Sequence, residues 1–180
     1  MSGKLYVISG ASGVGKSTVL DKVLEKKPDL RFSVSATTRA PRPGEQEGVN
    51  YYFVSKERFA EMIKQGAFVE HDAHMGNFYG TPADQLEEKL QRGDVILDIE
   101  PVGAFNVRKV RPDATLIFVA PPSMEELERR LRGRGDTSEE QIQMRLERAS
   151  WEMEQSVKYD HVVINDKADA CADEIVKIIE

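Results

Sequence analysis

The chain has 180 residues, 40% of them hydrophobic and 31% charged, and its 25 basic and 31 acidic side chains leave a net charge of -6. That is enough chain for one globular unit with its own core; the acidic balance argues against a surface that coats nucleic acid, and no run approaches the roughly 18 apolar residues that span a bilayer. One cysteine, Cys171, excludes an internal disulfide and suits a reducing compartment, and a first strand starting at Leu5 leaves no room for a signal peptide, so the expected location is cytoplasmic.

Leu5-Tyr6-Val7-Ile8 is an apolar run suited to a buried strand, and residues 18–27 read as a helix with Val19, Leu20, Val23 and Leu24 on one face. Between them Gly10-Ala11-Ser12-Gly13-Val14-Gly15-Lys16-Ser17, followed by Thr18, fits G-x-x-x-x-G-K-[ST]. Strand, glycine-rich turn and helix start make an anion site. Backbone N–H groups and the positive helix end face phosphate, Lys16 reaches the outer phosphates, and Ser17 can ligand Mg²⁺. The pattern predicts binding of a nucleoside triphosphate.

After Pro28, residues 31–37 alternate, predicting one half-buried strand with Phe32, Val34 and Ala36 on an apolar face and Ser33, Ser35 and Thr37 on a hydroxyl-lined one. The loop from Thr38 to Glu45 holds Arg39 and Arg42 on a segment stiffened by Pro41 and Pro43. The two arginines are phosphate ligands or solvated surface charges. Residues 50–54 predict a strand, and Ser55 an N-cap for a helix carrying Phe59, Met62 and Ile63 that Gly66 closes. Residues 67–70 return as a strand bearing Glu70. His71 and His74 lack a third ligand at metal-binding spacing and read as surface or loop residues. Residues 76–81 suggest a turn and a short extended piece. Thr81-Pro82-x-Asp84 then opens a helix with a cap residue, a proline at the first position and an acid in the first turn, which gives Thr81 a structural task, with a ligand contact as the alternative.

Val95-Ile96-Leu97-Asp98 is a hydrophobic strand ending in a carboxylate, the Walker-B arrangement. It predicts Asp98 at the carboxyl edge of a sheet, where it can orient Mg²⁺ or its waters, with Glu100 at i+2 on the same side and Pro101 ending the strand. Residues 114–120 form the next strand, and Ser123-x-x-Glu126 is a capping box for a helix through Leu127 and Leu131. Arg130 and Arg134 lie four apart, with Gly133 and Gly135 flanking the second. Either Thr137-x-x-Glu140 or Ser138-x-x-Gln141 restarts a helix with Ile142, Leu146, Ala149 and Met153 on its core stripe, Arg145 off it, and Trp151 as secondary packing. This segment suits a lid closing over phosphates, or equally a charged surface hairpin. Residues 161–166 are the last strand and its exit, and Ile175, Ile178 and Ile179 belong to a closing helix. Strands alternating with helices argue an α/β fold with a mostly parallel central sheet.

Taken together, Ser33-Val34-Ser35-x-Thr37-Thr38-Arg39-x-Pro41-Arg42-Pro43-Gly44-Glu45, Gly48-x-Asn50-Tyr51-x-Phe53-Val54, Asn77-x-Tyr79-Gly80-Thr81, Arg130-Leu131-x-Gly133-Arg134-Gly135 and Val163-Ile164-Asn165-Asp166 make the chain resemble the guanylate kinase family over essentially its whole length. The resemblance implies a three-layer P-loop NTPase fold and Mg²⁺-dependent phosphoryl transfer from ATP to GMP or dGMP. It implies a core of residues 1–32, 84–121 and 148–180, a small mixed α/β GMP-binding segment over 33–83 and a helical lid over 122–147. It further implies that Gly10 to Thr18 and Asn165 bind ATP, and that Ser17 and Asp98 serve the metal. Arg39, Arg42, Tyr51 and Tyr79 would hold the GMP phosphate, while Ser35, Glu70 and Thr81 read guanine. Lys16, Arg39, Arg130, Arg134 and Arg145 would stabilise transferring charge.

The chemistry of the bases agrees with the guanine-reading set. Guanine offers N1–H and its 2-amino group as adjacent donors, which one carboxylate can accept, whereas adenine turns a lone pair to the same place. The chain departs from the family at Glu100-Pro101-Val102-Gly103, where relatives commonly carry Asp-x-Gln-Gly. Asp98 is therefore the firmer metal-side expectation, and Glu100 a GMP-side one. Two other readings fit less of the pattern. A non-catalytic binding module would not need an intact phosphate loop, and a sister kinase with another acceptor would not need Ser35, Glu70 and Thr81.

Overall fold

The computed structural model describes residues 2–180. In chain order it contains β1 (Leu5–Gly10), α1 (Lys16–Lys26), β2 (Arg31–Phe32), β3 (Ser35–Thr37), β4 (Tyr51–Phe53), α2 (Lys56–Lys64), β5 (Phe68–His74), β6 (Asn77–Pro82), α3 (Ala83–Arg92), β7 (Val95–Asp98), α4 (Pro101–Val110), β8 (Thr115–Ala120), α5 (Met124–Gly133), α6 (Glu139–Gln155), β9 (His161–Ile164) and α7 (Ala168–Ile179). A five-stranded sheet has the order β2-β7-β1-β8-β9, and a separate four-stranded sheet the order β4-β3-β6-β5. The pairs β1–β8, β8–β9 and β2–β7 are all parallel, as the alternation of strands and helices requires. Among the described residues no helix is long and apolar enough to cross a membrane. The chain divides into two compact units, Met1–Leu5 with Asp29–Ala114, and Tyr6–Pro28 with Thr115–Glu180.

The unit holding the glycine-rich loop is built on β1, β8 and β9. Every residue of β1 is buried, and Leu116 to Ala120 of β8 have no exposed surface, which is why both read as unbroken apolar runs. Helix α1 buries Val19, Leu20 and Val23, and α7 buries Ala172, Ile175 and Ile179; the two helices pack together. Ser123 caps α5 by accepting from Glu126 N at 3.1 Å. Of the two restart signals, Ser138 wins: its hydroxyl and the Gln141 side chain form the reciprocal capping box of α6.

The other unit carries the mixed sheet. In it β3 pairs parallel with β4 and antiparallel with β6, and β5 and β6 form a hairpin with a bulge between Phe68 and Glu70. Phe59 of α2 stacks on Phe68 and Phe78, at ring separations of 4.6 and 5.6 Å, and so pins the helix to the hairpin.

Several local expectations change. The single strand over 31–37 is two. Arg31 and Phe32 pair with β7, Ser33 N still donates to Ile96 O, and β3 then joins the mixed sheet. Val34, Ser35, Ala36 and Thr37 are all buried, so the hydroxyl face does not meet solvent. The turn and extended piece over 76–81 are both present: Gly76 lies in the turn, and the extension is strand β6. Thr81 does not cap α3; the cap position is Pro82, which has no side-chain hydrogen bond, and Thr81 is a strand residue with its hydroxyl engaged elsewhere. Helix α4 adds an element to the sequence reading. Strand β7 already stops at Asp98, and Pro101, expected to end it, instead begins α4, since a missing N–H costs nothing in the first turn.

Candidate active site

The loop unit holds the first cluster. Between β1 and α1, Gly13 and Gly15 have φ values of 82° and 87°, a region that side-chain-bearing residues avoid. Gly13 also lacks room, since a Cβ there would lie 2.8 Å from Leu131 Cδ2 of α5. The stem of Lys16 folds over Gly10, 3.4 Å from where a Cβ would stand. Ser17 is exposed at the start of α1. The turn therefore opens its backbone donors at a helix N-terminus.

Next to the loop lies a cavity of about 330 Å³ lined by Gly15, Thr18, Arg130, Arg134, Asn165 and Asp166, among others. Asn165 is buried; its Nδ2 donates to Val14 O at 2.8 Å, while its Oδ1 is a buried acceptor without a donor. Arg130 is fixed on three sides. Its Nε donates to Glu126 Oε1 at 2.9 Å, and its terminal nitrogens donate to the carbonyls of Asn165 and Asp166 at 3.0 and 3.4 Å. Arg129, then Arg130, hold the Glu126 carboxyl down at about 2. Arg134 and Arg145 have no ion-pair partner among the described residues, and Arg134 is exposed. Trp151, expected to pack, is exposed, and the Arg148 guanidinium lies 4.7 Å from its ring centroid.

The second cluster lies in the other unit. Ser35, Thr37, Glu70 and Thr81 are all buried, and β-sheet register sets Glu70 opposite Thr81 and Thr37 opposite Tyr79. Thr81 Oγ1 donates to Glu70 Oε1 at 2.7 Å. Burial pushes the Glu70 carboxyl up to about 7, opposed by the Thr81 hydrogen bonds and assisted by nearby Asp72. No cation pairs with Glu70 among the described residues. Its other oxygen faces α4: a Cβ on Gly103 would stand 2.8 Å from Glu70 Oε2.

In the same unit, Arg39 and Glu45 form a two-pronged ion pair at 2.9 and 3.0 Å, and the Arg39 guanidinium lies 5.2 Å from the Tyr51 ring centroid. Tyr51 and Tyr79 meet edge to face at 6.0 Å. Glu45 also accepts from Arg42 N at 2.8 Å, and the Arg39 hydrogen bond holds its carboxyl below the usual range. The Arg42 side chain is exposed. Asp98 ends β7, and Glu100 occupies the N-cap of α4, outside the strand, so two-residue alternation does not reach it. His71 and His74 lie within β5, against Phe59 and Tyr79 respectively. Among the described residues no three His, Cys, Asp or Glu side chains gather as a metal site.

Sequence reasoning missed two carboxylates. Glu45 was visible only as part of a motif, yet it organises the arginine loop. Glu152, between Trp151 and Met153, gave no signal at all; it is 1% exposed and accepts from Ser12 N in the glycine-rich loop.

A buried parallel strand, a glycine-rich turn with left-handed glycines and a helix start define a P-loop nucleotide-binding α/β protein. The chain belongs to the guanylate kinase family: the family model described as guanylate kinase matches residues 2–180. A guanylate kinase of Synechococcus sp. (strain JA-3-3Ab) is 48% identical over 178 residues, 98% of this chain and 82% of that protein. One from Thermus thermophilus is 47% identical over 180 residues, 99% of this chain and 81% of that protein. The crystal structure of guanylate kinase from Anaplasma phagocytophilum superposes with a TM-score of 0.79 at 37% identity, covering 99% of this chain and 85% of that one.

Proposed function

We propose that this chain is an ATP:GMP phosphotransferase that moves the γ-phosphoryl group of ATP, with Mg²⁺, to GMP or dGMP. Membership of the guanylate kinase family supports the reaction, and one observation carries the choice of acceptor: Glu70 is a buried carboxylate with a hydroxyl neighbour and no cationic partner among the described residues. Such a group is costly unless a ligand supplies donors. Guanine supplies two, N1–H and the 2-amino group, side by side. Thr81 spends its single proton on Glu70 and so keeps lone pairs that suit the 2-amino group, which leaves Ser35 as the donor toward O6.

Arg39, Arg42, Tyr51 and Tyr79 hold the acceptor phosphate in this reading, with Glu45 presetting the Arg39 fork. Gly10 to Thr18 cradle the donor phosphates. The 330 Å³ cavity takes adenine, whose 6-amino group suits the unpartnered Asn165 Oδ1. Residues 33–83 act as the GMP-binding segment and 122–147 as the lid, within a core of 1–32, 84–121 and 148–180. Glu100 lies on the GMP side.

The acceptor is already an anion, so no base is needed. A GMP phosphate oxygen forms a bond to the γ-phosphorus while the bond to the ADP oxygen breaks, and the electron pair leaves with ADP. Lys16, Arg39, Arg130, Arg134 and Arg145 offset the charge that accumulates on the transferring oxygens. Mg²⁺ supplies further charge neutralisation when bound with the triphosphate. An exposed Ser17 hydroxyl at the helix start fits an ion that takes few protein ligands and keeps its waters.

An acceptor screen tests the proposal. ATP turnover with Mg²⁺ is expected with GMP and dGMP and to fall by about 10⁴ or more with AMP, CMP or UMP. Equal turnover of AMP would overturn the specificity, and no acceptor-stimulated ADP release would favour a binding module.

A further inference from the structure

Helix α6 should bury an apolar stripe, yet Glu152 lies within its buried face, alongside Ile142 and Ala149. Its Oε2 accepts from the backbone N–H of Ser12 at 2.6 Å, and its Oε1 from Arg148 Nε at 2.9 Å. Arg148 is held in turn by the Trp151 ring. A negative charge beside an anion-binding loop is the wrong sign for direct contact with phosphate. A side-chain oxygen at the right reach can instead grip a loop N–H from behind. Arg148 meanwhile offsets the charge that this carboxylate buries.

We propose that Glu152 is a positioning residue for the phosphate loop: it fixes the start of the turn through Ser12 N–H, so that the donors that follow are preset for the donor nucleotide. Leu131 closes over Gly13 on α5 and Glu152 holds Ser12 from α6, so two helices set the shape of a turn whose own sequence is flexible. This inference rests on the reading of the loop as the ATP site, and it assigns Glu152 no contact with substrate.

The test compares two conservative variants by calorimetric titration with ADP and, separately, with GMP. Glu152→Gln keeps an acceptor at full reach, whereas Glu152→Asp keeps the charge but withdraws it by one methylene. ADP affinity is expected to stay within about threefold of wild type in Glu152→Gln and to fall about tenfold or more in Glu152→Asp, as a misplacement on the ångström scale does. GMP affinity should change by less than about twofold in both, and the KM for ATP should follow the ADP result. Unchanged ADP binding in Glu152→Asp overturns the proposal. So does an equal loss in both variants, or a loss of ADP and GMP binding together, because charge or general stability would then be what Glu152 supplies. Failure of the wild-type protein to bind ADP would instead remove the nucleotide reading itself.

Discussion

Replacing Glu70 by glutamine tests both the burial of this carboxylate and its role in acceptor choice. In the ligand-free protein burial raises its pKa to about 7 from the ordinary 4.5. The folded state therefore holds a proton that the unfolded chain releases, and this group makes stability fall as pH rises from 4.5 through 7. From those two values the cost of Glu70 is about 1 kcal/mol at pH 5 and about 3 kcal/mol at pH 8. The introduced amide resembles the protonated acid and can still accept from Thr81, so it escapes the charge penalty. Glu70→Gln should therefore stabilise the free protein more at pH 8 than at pH 5, by about 2 kcal/mol, or roughly 4–8 °C in Tm for a chain of this size. The same variant loses the charged acceptor proposed to face guanine, and GMP affinity should fall by about tenfold or more while ADP affinity stays constant. Urea unfolding at the two pH values and titration with each nucleotide read both effects. An equal stability change at pH 5 and pH 8, or wild-type GMP affinity, would refute the reasoning.

Gly103→Ala places a methyl 2.8 Å from Glu70 Oε2, so the carboxylate must shift; the KM for GMP should rise by about 10- to 100-fold with ADP binding unaffected, as steady-state kinetics and titration would show. Glu45→Ala frees Arg39 from its two-pronged partner and removes the acceptor of Arg42 N, and the KM for GMP should rise several-fold, with less change in kcat. Lys16→Met should lower kcat by about 10²–10³ without altering GMP affinity, because its charge is proposed to act on the transferring group.

Much of this molecule was legible before its tertiary structure. Strand β1, the loop and α1 follow from an apolar run, two glycines where φ must be positive, and a helical stripe, all of them local in sequence. The caps at Ser55, Ser123 and Ser138 were equally local: each serine accepts from the N–H three residues on. Alternation misled over 31–37 because it reports only that neighbouring side chains differ. It cannot tell a sheet with one wet face from a strand that changes sheets and is covered on both. Thr81 shows the same limit: its spacing from Pro82 and Asp84 is that of a cap, but its hydroxyl bonds across the hairpin to Glu70, eleven residues away.

The α/β alternation, the phosphate loop and, through its motifs, the family were all written in the order of residues. Those features depend on contacts within a few residues or on long, specific patterns. Folding in three dimensions was needed to bury Glu70 beside Thr81 under Gly103, to set Glu45 on Arg39, and to bring Glu152 to Ser12 across 140 positions of chain. A carboxylate reads as solvated until its surroundings are known, because burial, and with it charge cost and pKa, is a property of neighbours that the linear chain does not place together.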